Sequence, residues 1–147
     1  MPISYSGIGK NILSALTQGS NVSMPQPWLG LFSTMPGANG SGGVQVSYPE
    51  YGKVRIDNLG IEGKEIMGEP YNTTDTDGSV LSAVKNQEII YFPENETGSS
   101  VQAVGWGLFS SASATTPYMW GELKAPVTIS KNSVPMFRVD DFVMKIK

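Results

Sequence analysis

The side chains that could carry out chemistry in this sequence are carboxylates and aromatic rings, because it contains no histidine and no cysteine. Their absence excludes imidazole-dependent triads, thiolate nucleophiles, and zinc sites built from thiols or imidazoles. The enzymatic chemistry that the 13 acidic residues could still support is glycoside hydrolysis, which requires two carboxylates placed across a sugar cleft. Asp140 and Asp141 are neighbours and point to opposite faces of a strand, whereas Glu94 and Glu96 lie in an acidic loop. We therefore expect a protein that is not an enzyme, with no catalytic residue and no cofactor.

Two segments could be taken for ligand-binding loops. Asp75 and Asp77 alternate ahead of Gly78 as at the start of a calcium loop, but the acidic residue that should follow several positions later is missing. The segment "MPGANGSGG" is rich in glycine, but it has neither the spacing nor the lysine of a phosphate-binding loop. Both segments favour turns, and we assign no metal or nucleotide site.

Aromatic side chains offer a different chemistry, because Trp and Tyr rings can stack on sugar rings. Trp28 and Trp106 lie inside apolar strands, where such rings usually fill a core. Tyr51, Tyr118 and Trp120 lie near turns and are the candidates for a sugar-stacking platform.

Composition limits the partners and the size of the fold. The net charge of −3 includes no basic stripe that could neutralise phosphates, so we expect no nucleic-acid partner. No stretch approaches the ~20 apolar residues that cross a bilayer, so we expect no membrane partner. A chain of 147 residues without a linker-like segment predicts one domain over residues 1–147.

A single helix is predicted, near the N-terminus, over about residues 6–18. Ile8, Ile12, Leu13 and Leu16 fall on one stripe at helical spacing, Ser4 or Ser6 can cap the start, and Gly19 can end it. So short a helix is marginal in isolation and must pack on something. Its apolar stripe either packs on the protein's own sheet or binds a partner.

Two similar apolar segments predict central strands. In "WLGLFST", Trp28, Gly30 and Phe32 share one face and Leu29 and Leu31 the other. In "VQAVGWGLFSSAS", one face carries Val104, Trp106 and Leu108, and the other carries Ala103, Gly105, Gly107 and Phe109. The glycines leave room for a neighbouring ring, so this near-repeat is interpreted as a packing unit.

The rest of the chain is predicted to consist of short strands and turns. Asp77-Gly78 is a turn into a strand that ends near Val84, and another strand covers Glu88 to Phe92. The glycine-rich loop Pro36 to Gly43 is expected to be exposed and mobile. Roughly eight to ten short strands predict an all-β fold, an antiparallel β-sandwich or flattened barrel with one short N-terminal helix.

The order of these segments resembles a family of small tailed-phage structural proteins, commonly labelled tail-fibre-like. The likeness extends from Ile8 to Ile146 and rests on "PWLGLFSTMPGANGSGG", "EYGKVRI", "IIYFPENETGS", "VQAVGWGLFSSAS", "MWGELKAPVTISKNS" and "FRVDDFVMKI". The chain departs from the family pattern at residues 50–55, which read Glu-Tyr-Gly-Lys-Val-Arg in place of Gly-Tyr-Ala-Arg-Val. A polar insertion from Asn72 to Gly78 is a second departure.

This resemblance implies a component of the virion that binds other virion proteins, either major capsid or tail proteins, and copies of itself. One hypothesis is an accessory protein that decorates or cements the capsid or forms part of a tail fibre. Its candidate contact residues are Ile8, Ile12, Leu16, Pro36 and Asn39. The alternative is a carbohydrate-binding host-adhesion module of the tail that uses the three-ring platform.

Overall fold

The regular secondary structure of the protein is mostly β-strand in a computed structural model, which describes residues 4–5, 8–19, 21, 24–57 and 65–146. The predicted all-β class with one short N-terminal helix is confirmed. In chain order the described elements are β1 (Ser4–Tyr5), α1 (Ile8–Gln18), β2 (Trp28–Thr34), β3 (Val44–Gln45), β4 (Val54–Arg55), β5 (Tyr71–Thr74), β6 (Val80–Lys85), β7 (Ile90–Tyr91), β8 (Val101–Phe109), β9 (Met119–Ile129), β10 (Met136–Phe137) and β11 (Val143–Ile146).

The largest sheet has the strand order β1-β9-β8-β2-β3, and β4 also pairs with β2. Every pairing in it is antiparallel. On the side away from β8, the start of β2 pairs with β4 and its end pairs with β3. β2 and β8 therefore occupy the middle of the sheet, as their two apolar faces predicted.

A three-stranded sheet, β11-β6-β5, and a two-stranded sheet, β10-β7, complete the fold. Neither they nor the large sheet close on themselves, so the fold is a sandwich and not a barrel. The main core joins Leu29, Leu31 and Trp106 of the large sheet to Ile90 of β7 and to Phe142, which precedes β11. Burial of both inner faces is what holds these layers together.

The other face of the large sheet carries a second, smaller core of Phe32, Phe109 and Trp120. Phe32 is thus separated from Leu29 and Leu31 by the alternation of the strand, as predicted. One assignment was wrong: Ala103 belongs to the same core as Trp106. The pairing of β8 with β9 shifts register between Ala103 and Gly105, and such a bulge reverses the alternation at that point.

The ends of α1 follow the predicted helix closely. Gly19 donates its N–H to Ala15 O at 3.2 Å and so closes the last turn. Ser4 pairs with Trp120 in β1 and is therefore not the helix cap, while Ser6 lies outside the described residues.

Three further predictions concern a turn, a short strand and a loop; the first is confirmed and the other two are corrected. Gly78, with a φ of 84°, completes the predicted turn between β5 and β6. The strand expected over Glu88 to Phe92 is reduced to Ile90–Tyr91. The glycine-rich loop is not exposed throughout, because Pro36 and Gly40 are buried. Gly40, with a φ of 81°, lies so close to the Trp120 ring that a Cβ there would be 3.1 Å from Cζ3.

Candidate functional site

Several groups converge above Gly30 of β2. A Cβ at Gly30 would lie 2.9 Å from the Phe109 ring, 3.0 Å from the Tyr51 hydroxyl and 3.4 Å from the Lys53 side chain. All three groups therefore depend on glycine at this position. Tyr51 and Lys53 reach it together because residues two apart in an extended segment share a face.

Hydrogen bonds fix the Tyr51 hydroxyl. It accepts from the Leu31 N–H at 2.9 Å and donates to Gln45 Oε1 at 3.4 Å. The Tyr51 ring also packs edge-on against Tyr48, with centroids 5.5 Å apart. Burial raises the pKa of Tyr51 to about 12, so the hydroxyl remains protonated at neutral pH.

Lys53 lies between an aromatic ring and a loop carbonyl. Its ammonium is 4.6 Å from the Phe109 ring centroid, and it donates to Ala112 O at 2.8 Å. Burial, which removes water from the ammonium, lowers the pKa of Lys53. Among the described residues, no carboxylate forms an ion pair with this ammonium.

These groups border a surface depression of about 400 Å³, which we call the Lys53 pocket. The residues that the pocket brings together come from the end of β3, the segment before β4 and the loop after β8: Gln45, Ser47, Tyr51, Gly52, Lys53 and Ala112. Of these, only Tyr51 was a candidate from the sequence. The alternate spacing of Tyr51 and Lys53 is the signal that could have identified the second.

The three predicted sugar-stacking residues do not form one exposed platform. Trp120 is 3% exposed and packs against Phe32 and Phe109, so neither ring face is available to a sugar. Tyr118 packs against the main core, and its hydroxyl donates to Gln26 O at 3.4 Å. Burial, and to a smaller extent Asp57, raises the pKa of Tyr118 to about 12. Sugar contact by Tyr51 or Tyr118 stays a prediction.

The predicted partner-contact residues divide into exposed and buried ones. Leu16 of α1 is 77% exposed, and its neighbour on the same stripe, Leu13, is 63% exposed. Asn39 is exposed at the tip of its loop, where its Oδ1 accepts from the Ser41 N–H. Pro36, the first residue of that loop, is buried and is not accessible to a partner. The side chains of Ile8 and Ile12 lie outside the described residues.

A second concavity is almost entirely apolar. This apolar groove, of about 260 Å³, separates β6 and β11 of the three-stranded sheet from β8 and β9 of the large sheet. It is lined mainly by Pro70, Val84, Leu108, Met119, Met144 and Ile146. Because Ser82 is its only polar side chain, the groove offers few hydrogen bonds that could orient a ligand.

Two of the acidic residues form specific contacts with other side chains. Asp140 forms an ion pair with Lys85 at 3.0 Å, and Glu50 accepts a hydrogen bond from Thr97 at 2.6 Å. That bond is the main reason why the pKa of Glu50 is lowered. In residues 4–5, 8–19, 21, 24–57 and 65–146 there is no cluster of three acidic groups suited to a metal ion. Within these same ranges, no helix has the length and apolar character needed to cross a membrane.

Two asparagines, Asn86 and Asn95, are fully buried, which no pattern in the sequence predicted. Asn86 donates to Glu88 O and to Arg138 O, both at 2.8 Å, and accepts from the Phe142 N–H at 2.9 Å. Asn95 accepts from the Gly98 N–H and donates to Ser99 O. Each side chain replaces a missing piece of backbone pairing where the chain leaves a strand, so their role is structural.

Two comparisons with known proteins gave different results. A search of curated proteins found no match, whereas a family model matches almost the whole chain. A family model described as Podophage GP4 fiber I protein gp80 matches residues 5–145, which include both central strands and the Lys53 pocket. This agrees with the resemblance to tailed-phage structural proteins. The chain therefore belongs to the family of the podophage GP4 fibre I protein gp80.

Proposed function

We propose that this protein is a structural subunit of a phage tail fibre, which acts in the virion through contacts with other virion proteins and with copies of itself. The family match over residues 5–145 supports a fibre in preference to a capsid-decorating protein. The chemistry of the chain supports assembly in preference to catalysis. It has no histidine or cysteine, and its described residues contain no group of three acidic side chains that could hold a metal ion.

The observation that carries the proposal is the exposed apolar stripe of α1. Leu13 and Leu16 expose 63% and 77% of their surface, so the described part of the chain does not bury them. A helix of 11 residues is marginal in water unless its apolar face is packed. A neighbouring subunit or another virion protein would supply the surface that the isolated chain lacks.

The size of this contact suits a repeated assembly. Full burial of a Leu side chain contributes about 1.5–3 kcal/mol, so one helix with two such residues gives a weak contact after the cost of association. Identical copies held in one structure bind together, and their small contributions then combine. Such a protein needs no single high-affinity site.

Incorporation into particles tests the proposal. Phage particles are assembled in cells that supply only the Leu16→Asp variant, and the amount of the protein per particle is measured by quantitative mass spectrometry. We expect a loss of at least tenfold, because a charge would be buried in the contact. The matched control is Gln18→Asp, which adds the same charge to an exposed residue of the same helix.

Two outcomes would contradict the proposal. Leu16→Asp protein that is folded and incorporated as well as the control would exclude α1 as the contact element. A wild-type count of hundreds of copies per particle would indicate the capsid surface, whereas a fibre predicts only a handful.

A further inference from the structure

The Lys53 pocket has hydrogen-bonding capacity that the protein itself does not use. An ammonium group has three N–H donors, and the only acceptor of Lys53 among the described residues is Ala112 O at 2.8 Å. The Phe109 ring faces the same ammonium at 4.6 Å and cannot replace an oxygen acceptor. Two donors of a half-buried cation therefore point to water or to a ligand.

In the part of the chain that the structure describes, no carboxylate forms an ion pair with Lys53. The described ion pairs, Arg55 with Asp57 and Lys85 with Asp140, use other side chains. A cation that has lost part of its water, and has no counter-ion, is stabilised by any anion that enters the pocket. The pocket thus favours a negatively charged ligand although the whole chain carries a net charge of −3.

Neutral polar groups surround this charge. Gln45 Oε1 accepts from the Tyr51 hydroxyl at 3.4 Å, which leaves the Gln45 NH₂ group to donate to a ligand. Ser47 is exposed on the same lining. Tyr51 itself is held by its bond to the Leu31 N–H, so this side of the pocket is in place before any ligand arrives. Several donors around one cation suit a ligand that carries several oxygens.

We infer that the Lys53 pocket binds a small carboxylate that also carries hydroxyl groups, an acidic sugar of the uronic acid type. The Lys53 ammonium binds the carboxylate, and Gln45 and Ser47 bind hydroxyl groups. A volume of about 400 Å³ is within the range of ligand pockets and accommodates a monosaccharide. This inference goes beyond the structural role proposed above and does not depend on it.

Titrations of the full-length, ¹⁵N-labelled protein test the inference. Glucuronate, glucose and acetate are added separately, and the amide signals of Ser47, Gly52, Lys53 and Ala112 are followed by NMR. We expect saturable shifts of these amides with glucuronate. Glucose lacks the carboxylate and acetate lacks the hydroxyl groups, so each is expected to bind at least tenfold more weakly.

A pair of lysine variants separates the pocket from general charge. Lys53→Met retains an aliphatic stem over Gly30 and Phe109 but removes the charge, and we expect at least tenfold weaker glucuronate binding. Lys124→Met removes an exposed lysine of β9 and is expected to bind glucuronate like the wild type.

Three results would each overturn the inference: no shift of the four amides with glucuronate, equal binding of acetate, or unchanged binding by folded Lys53→Met protein. Since the first two are measured on the unmodified chain, they decide the matter even if Lys53→Met protein does not fold. A failure here leaves the particle-incorporation test untouched, and the reverse also holds.

Discussion

Gly30 and Gly107 are direct partners across β2 and β8, so the similar segments formed by residues 28–32 and 106–109 lie side by side. Each glycine accommodates the phenylalanine of the other strand. A Cβ at Gly30 would lie 2.9 Å from the Phe109 ring, and one at Gly107 would lie 2.6 Å from the Phe32 ring. The two rings pack with centroids 5.7 Å apart. The near-repeat in the sequence is therefore a reciprocal packing unit in the centre of the large sheet.

Replacement of Gly107 by Ala tests this unit. The added Cβ would clash with Phe32 and approach Phe109 and Pro117 within 3.1 and 3.2 Å, so we expect a loss of about 1–3 kcal/mol in the free energy of unfolding. Urea denaturation measures it. Gly52→Ala is the control, because only Pro93 at 3.9 Å lies near a Cβ there. Equal stability of the two variants would contradict this account.

Trp120 is expected to contribute to stability as a core residue. Trp120→Ala should lower the free energy of unfolding by about 3–5 kcal/mol, since the ring fills the space between Phe32, Phe109 and Gly40. Val127→Ala, on the same strand but 49% exposed, should change it by about 0.5 kcal/mol or less. If thermal and urea denaturation gave similar small changes for both variants, Trp120 would not have the role described.

The buried Asn86 side chain is expected to tolerate almost no change. In Asn86→Asp a carboxylate would face Glu88 O and Arg138 O, which are now hydrogen-bonded to the amide NH₂. We expect a loss of at least about 3 kcal/mol from unpaired carbonyls and a buried charge. Asn39→Asp is the matched control, because the exposed Asn39 side chain only accepts hydrogen bonds from Ser41. A stable Asn86→Asp protein would show that this network contributes little.

Stability should fall in alkaline solution. Burial is the main cause that raises the pKa of Tyr48, Tyr51 and Tyr118 to about 12, whereas an unfolded tyrosine ionises near pH 10. Between these values the unfolded chain has lost protons that the folded chain retains, so the free energy of unfolding decreases as pH rises from about 10 to 12. Urea unfolding at a series of pH values measures the decrease.

Tyr118→Phe provides the control for this pH effect. The substitution removes one of the three tyrosines whose pKa is raised, and the protein loses only one long hydrogen bond, to Gln26 O. The decrease between pH 10 and pH 12 should therefore be smaller than in the wild type. An identical decrease in both proteins would assign the alkaline instability to other groups.

Local patterns predicted much of the fold correctly. The separation of Leu29 and Leu31 from Phe32 follows from the alternation of side chains within one strand, and the turn at Gly78 follows from local conformational preference. The position of Ala103 was wrong because a bulge depends on the pairing of β8 with β9, which no single segment contains. The position of Trp120 near a turn suggested an exposed ring. The loop that covers this ring, with Gly40 against it, is distant in the sequence, so no local pattern indicated it.

The sequence by itself determined the chemical limits of this protein, its two-faced central strands and the family to which its segments correspond. Only the tertiary structure decided that Gly30 pairs with Gly107 and that Gln45, Tyr51, Lys53 and Ala112 border one pocket. The physical reason is the range of the interactions involved. Alternation and turn preference act between near neighbours in the chain. The pairing of strands, and the loss of water around Lys53, arise from segments that are distant in the sequence and meet only after folding.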